Sequence, residues 1–113
     1  MGEGALPVLL SEIASFVERI SAAGAVNGLV QCLLRLTVPG IPDLYQGCEF
    51  WDFSLVDPDN RRPVDFTARS SALSDDDLER LTATWRDGRL KQALIARLLA
   101  ARRESAQLFA EGT

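Results

Sequence analysis

Histidine is absent from the 113 residues, and the two cysteines, Cys32 and Cys48, lack the spacing of a CxxC pair. An ordinary zinc site draws on several Cys and His ligands, so this pair cannot build one, and no metal or other cofactor is expected. Cys32 falls in an apolar helical pattern and Cys48 in a loop, which reads as two reduced thiols of a cytoplasmic protein rather than a disulfide. Basic charge is also scarce, with 12 Lys and Arg against 16 Asp and Glu and a formal net charge of -4. A nucleic-acid surface needs a basic stripe to displace counterions, and none is present. No unbroken apolar run approaches the roughly 20 residues that span a bilayer. No charged n-region precedes a signal core, and the start MGEGAL lacks the Ser or Thr of a myristoylation site. The expectation is a cytoplasmic protein that binds neither nucleic acid nor membrane. Internal repeats and low-complexity segments are absent as well.

What is present is a balance of 47% apolar and 25% charged residues, which fits a single soluble segment over 1–113 with a modest core. Pro7 sits at a helix start, and Leu9, Ile13, Phe16 and Ile20 recur at i, i+4, i+7 and i+11, one apolar face. Gly24 reads as a break or a close-packing point, after which Val26, Leu29, Val30, Leu33, Leu34 and Leu36 are apolar around much of the circumference. Two helices are therefore predicted over 7–38, the second built to be covered by neighbours. In isolation that helix exposes an apolar patch, and self-association is expected. Ile41 to Tyr45 reads as one short strand without a partner in a strand–loop region over 39–73. Ser74, followed by three aspartates, predicts a helix start, and Leu90, Leu94, Leu98 and Ala101 form the apolar face of another helix. Ser105 is placed to cap a last turn ended by Gly112, so 74–112 holds the C-terminal helices. The fold class is mainly α, with a long irregular loop and at most one short strand.

The chemistry concentrates between Pro39 and Phe66, where prolines and glycines forbid a helix while Tyr45, Gln46, Trp51, Arg61 and Arg62 supply donors and stacking faces. A connection this long is either functional or part of a larger fold. Glu49 and Asp52 are the carboxylates to test as a glycosidase pair, yet a spacing of three in an irregular loop sets no distance, and such acids more often hold backbone or pair with arginines. Trp51, Tyr45 and Phe53 are suited to stacking on sugar faces or, equally, to packing. Arg61 and Arg62 present planar forks for a ligand or for Asp57 and Asp59. Three consecutive acids, Asp75 to Asp77, point in different directions on a helix start, which favours capping over metal binding.

Pro39-Gly40, Pro42, Tyr45, Gly47 and Glu49 resemble the PG-x-P-x-x-Y-x-G-x-E stretch that forms the eighth strand and following loop of the catalytic barrel in the alpha-amylase superfamily. More narrowly, Tyr45-Gln46-Gly47, Glu49, Trp51-Asp52 and the run Ser54 to Asp65 resemble the maltooligosyl trehalose synthase family, as do Gly24-Ala25, Asn27, Trp85 to Gln92 and Leu108 to Gly112. The likeness covers about residues 15 to 112. It implies a helical C-terminal fragment from the end of a (β/α)8 barrel, since a complete barrel needs about 250 residues. It also implies a parent activity, an intramolecular transglucosylation that converts the reducing-end α-1,4 bond of a maltooligosaccharide to α,α-1,1 in trehalose biosynthesis. Tyr45, Gln46, Trp51, Arg61 and Arg62 are then the expected sugar-facing residues. The family's catalytic carboxylates lie on earlier strands with no match here, and Glu49 corresponds to a loop acid, so the chain has no catalytic residue and is expected to be inactive alone. A helical protein-interaction module is the alternative.

Overall fold

One continuous helix, α1, runs from Ala5 to Thr37, where two were predicted. A computed structural model supplies these coordinates and describes residues 4–53 and 62–112. Gly24 does not break α1: it keeps a negative φ, and a Cβ placed on it meets no atom within 4 Å. A mid-helix glycine costs about 1 kcal/mol relative to alanine, too little to interrupt a helix whose neighbours here are Ala22, Ala23 and Ala25. Pro7 is tolerated because it lies in the first turn, where backbone N–H groups have no intrahelical partner. Continuity through Gly24 also changes the membrane arithmetic, since α1 is, by length and composition only, apolar enough to cross a bilayer. The same properties describe a helix covered on all sides inside a larger protein.

The chain divides into two compact units, Met1–Gln31 and Cys32–Thr113. In the first, the described residues beyond Gly4 are all helical, and none of them is buried. Leu6, Val8, Leu9, Leu10, Ile13, Phe16, Val17 and Ile20 are all exposed. The apolar stripe read from the periodicity thus exists but is uncovered.

Among its described residues, the second unit holds the last turns of α1 and four short or medium helices: α2 (Phe66–Ala72), α3 (Leu78–Ala83), α4 (Arg89–Glu104) and α5 (Ala106–Glu111). A 3-10 turn, Trp85–Asp87, precedes α4. Its core is small: Cys32, Leu36 and Ile95 pack together with Leu44 and Leu98 around them, and Leu81 is separately and completely buried. The mainly helical class is observed, and no strand occurs among the described residues. Ile41, predicted to open a strand, is fully exposed. A lone strand leaves its ladder groups unpaired, and here Gly40 N–H instead donates to Phe109 O at 3.0 Å.

Two further expectations change in detail. Helix α2 lies inside the region read as loop; its start is capped by Asp65, whose carboxylate accepts from Ala68 N–H at 2.9 Å. Asp77, not Ser74, caps α3, accepting from Arg80 N–H at 3.1 Å, while Ser74 donates to Ser71 O. The three aspartates divide their work. Asp75 bridges Arg80 and Arg89 at 2.5 and 3.2 Å, and Asp76 pairs with Arg97 at 2.5 Å. Ser105 precedes α5 without a side-chain capping bond, and Gly112, at φ 75°, closes the helix.

Arg102 supplies what the end of α1 lacks. The final carbonyls of a helix have no intrahelical donor, and the Arg102 guanidinium donates to Leu36 O at 2.8 Å, Val38 O at 3.1 Å and Gly40 O, while lying 4.8 Å from the Phe109 ring. At the other end of α4, Asp87 accepts from the Arg89 backbone and guanidinium at 3.0 and 2.9 Å. Those hydrogen bonds hold the Asp87 carboxyl below its ordinary value of 3.8. A lowered carboxyl contributes stability above the unfolded-state value and loses it as pH falls through the folded one. Stability should therefore decline below about pH 3.8, and Asp87→Asn should flatten that part of a denaturation-against-pH curve.

Candidate functional site

The site is built where the irregular segment after α1 folds back on the start of α4. Gly88 permits the approach: its φ is 86°, and a Cβ there would lie 2.8 Å from Phe50 Cβ and 2.9 Å from Trp51 N. Only a glycine fits so close to another backbone in a left-handed conformation. Trp51 is then anchored, with its indole N–H donating to Trp85 O at 2.6 Å and its ring meeting the Trp85 ring edge to face, centroids 6.2 Å apart. Lys91 adds a second tie, donating to Phe50 O at 3.1 Å with its ammonium 5.9 Å from the Trp51 ring.

Arg69, on α2, organises the other side. Its Nε pairs with Glu49 at 3.0 Å, Nη2 donates to Gly47 O at 2.6 Å and Nη1 to Asp65 O at 3.1 Å, and the guanidinium lies 4.7 Å from the Phe50 ring centroid. One planar fork thereby holds the segment 47–50 against α2, a geometry that a lysine cannot reproduce. Behind it, buried Gln92 donates to Arg69 O at 2.9 Å, and its Oε1 finds no partner among the described residues.

Between these supports lies a cleft of about 380 Å³ lined by residues that include Tyr45, Gln46, Trp51, Asp52, Phe53 and Arg62. Four of the five residues predicted to face sugar, Tyr45, Gln46, Trp51 and Arg62, thus come together on one cavity. The fifth, Arg61, and its proposed partners Asp57 and Asp59 lie outside the described residues. Tyr45 is about half exposed and Phe53 largely so, leaving apolar ring surface beside polar groups. The cleft is predominantly polar and open to solvent.

Both carboxylates have partners within the chain. Glu49 is spent on Arg69, which accords with the loop-holding role weighed from sequence. Asp52 accepts from the Cys48 thiol at 3.6 Å, and burial together with that bond pushes the Cys48 thiol above its ordinary value. Burial raises Cys32 likewise, and both thiols are free. A thiol kept protonated is a poor nucleophile. No group of three or more potential metal ligands occurs among the described residues.

Sequence reasoning missed Arg69, Trp85, Gly88 and Lys91 as parts of this site. Trp85 to Gln92 carry family likeness in the sequence but nothing local that ties them to this cleft, and nothing local to Arg69 marks it as a clamp 20 residues from Glu49.

No family model matches the chain. Two curated relatives from Mycobacterium tuberculosis, strains CDC 1551 / Oshkosh and H37Rv, are named maltooligosyl trehalose synthase and are 54% identical over 65 residues, 58% of this chain. The chain spans 8% of the length of those relatives. Among solved structures, a serine-to-proline mutant of maltooligosyltrehalose synthase from Arthrobacter ramosus matches with a TM-score of 0.73 and 45% identity, covering 90% of this chain and 14% of that one. The sequence resemblance is thereby shown, and it is a resemblance to a fragment: this helical chain corresponds to a small part of a much longer protein.

Proposed function

We propose that this chain provides one wall of the carbohydrate site of a maltooligosyl trehalose synthase, in which the reducing-end α-1,4 bond of a maltooligosaccharide becomes α,α-1,1 by intramolecular glucosyl transfer. The observation that carries this reading is the gathering of Tyr45, Gln46, Trp51 and Arg62 around a single cleft in a chain similar to that enzyme. Their chemistry is that of sugar binding. Aromatic faces match the C–H face of a pyranose, and the amide and guanidinium reach its hydroxyls. Trp51 contributes its ring rather than its donor, because the indole N–H already serves Trp85.

Such a transfer must resolve a glycosyl-enzyme intermediate with the released glucose instead of water. A wall of aromatic and arginine side chains serves that need by holding the glucose and displacing solvent. Bond cleavage needs two carboxyl groups flanking the bond, and with Glu49 bound to Arg69 this chain supplies no such pair among its described residues. The isolated chain is therefore proposed to bind without turning over.

Titration of the isolated chain with maltotriose, followed by NMR, tests both parts. Weak, millimolar binding is expected, as for a shallow partial site, with shifts concentrated at the Tyr45 amide and the Trp51 indole, and reducing ends of added maltopentaose should stay constant. Absence of shifts at saturating sugar would overturn the sugar-facing role. Loss of reducing ends would overturn inactivity. A non-catalytic interaction module is the second reading, favoured by the exposed apolar residues of α1.

A further inference from the structure

We infer that a second copy of this chain is the occupant of the exposed apolar stripe of α1, paired antiparallel about a two-fold axis between Ser15 and Phe16. The inference stands apart from the sugar-binding reading and uses only the first unit. Leu9, Ile13, Phe16 and Ile20 recur on one side of the helix, with Leu6 and Val17 beside them, and all six are exposed. Ser11, Ser15 and Glu18 lie on the far side, with exposed Val8 and Leu10 on the flanks between.

Charge selects the occupant and its orientation. Glu12 and Arg19 are seven residues apart, hence on the same edge of the stripe and about 10 Å apart along the axis at 1.5 Å per residue. Both are exposed, and no ion pair within the chain engages either among the described residues. In a parallel copy in register, the edge that carries Glu12 and Arg19 faces the opposite edge of its partner, where Leu10 and Val17 lie, so the charges do not meet. An antiparallel copy brings the same edges together in reverse, so each Glu12 faces the partner's Arg19. The pair forms twice, once on each side of the axis, as a two-fold interface requires. The charged edge is thus complementary to itself in one orientation only.

The area is adequate as well. Contact from Leu6 to Val26 extends for about 30 Å of helix, and burying facing stripes of that length removes on the order of 1,200 Å² from water, the lower bound for stable association.

Sedimentation equilibrium of the full chain at micromolar concentration tests the pairing. A dimer is expected, weakened by added salt. Arg19→Glu should raise its dissociation constant on the order of tenfold or more, because two attractive contacts become repulsive. The double variant Glu12→Arg with Arg19→Glu should return it to near the original value while far-UV circular dichroism shows unchanged helix content. A monomer throughout would overturn the inference and leave the stripe to polypeptide outside this sequence. Flotation of monomer with lipid vesicles would overturn it in favour of a bilayer. A double variant that stays as weak as the single one would overturn the proposed register.

Discussion

Arg69→Met should lower the unfolding free energy by about 2–4 kcal/mol and release the segment 47–50 from α2. The size follows from what the side chain holds. Glu49, Gly47 O and Asp65 O all take hydrogen bonds from this one guanidinium, and the Phe50 ring packs against it. Methionine preserves much of the length and packing, so the loss isolates the polar contacts. Arg69 and Glu49 side chains are 17% and 27% exposed, enough burial that the remaining carboxylate is left poorly solvated, and enough exposure to keep the cost below that of a fully buried pair. Arg69→Lys should recover less than half of the loss, because a single ammonium cannot serve three acceptors arranged for a fork. Urea denaturation of the three proteins measures this. A change under about 1 kcal/mol, the range of a surface ion pair, would show that the segment is held by other contacts.

Gly88→Ala should cost about 3 kcal/mol and unseat Trp51. Two penalties combine: a left-handed residue with a Cβ costs about 1–2 kcal/mol, and overlap with a packed neighbour adds about 1–3 kcal/mol. The overlap is with backbone, since the added methyl would lie 2.9 Å from Trp51 N and 3.1 Å from Phe50 Cα, so no flexible side chain can simply move aside. Displacing Phe50 and Trp51 breaks the indole bond to Trp85 O and the Lys91 bond to Phe50 O. Tryptophan emission should shift to longer wavelength as the ring becomes solvated, and sugar-dependent shifts at Trp51 should vanish. Gly24→Ala is the contrasting case. With open space around it and a helical backbone, it should stabilise the chain by about 0.5–1 kcal/mol. Equal effects at the two glycines would contradict the close approach at Gly88.

Helical content was legible because its signals are local. Apolar residues at i, i+4 and i+7 mark α1 and α4 wherever their neighbours sit, and Gly112 closes α5 as a left-handed terminator. The break at Gly24 was misread because a propensity cost of about 1 kcal/mol is outweighed by the helix on both sides. Helix α2 was missed because Thr67, Ser70 and Ser71 give it neither strong propensity nor an apolar period, and Arg69 acts only once the fold brings acceptors to it. The expected strand failed for the opposite reason: Ile41 to Tyr45 has strand composition, but a strand needs a partner and none is present among the described residues.

The residue types of the cleft were also readable in advance. Tyr45, Gln46, Trp51 and Arg62 stood out as stacking faces and donors in a segment unable to form a helix, and they resemble one family closely enough to imply a sugar. Their use was not readable. That Trp51 spends its donor on Trp85, that Glu49 is neutralised by Arg69 and that the Cys48 thiol donates a hydrogen bond to Asp52 depend on groups 34, 20 and 4 residues away. Short-range preference thus determined helices, caps and chemical vocabulary, because those depend on residues a turn apart. Tertiary structure alone decided which polar groups face the cleft and which are consumed in holding it, because a hydrogen bond is a matter of about 3 Å in space, whatever the distance along the chain.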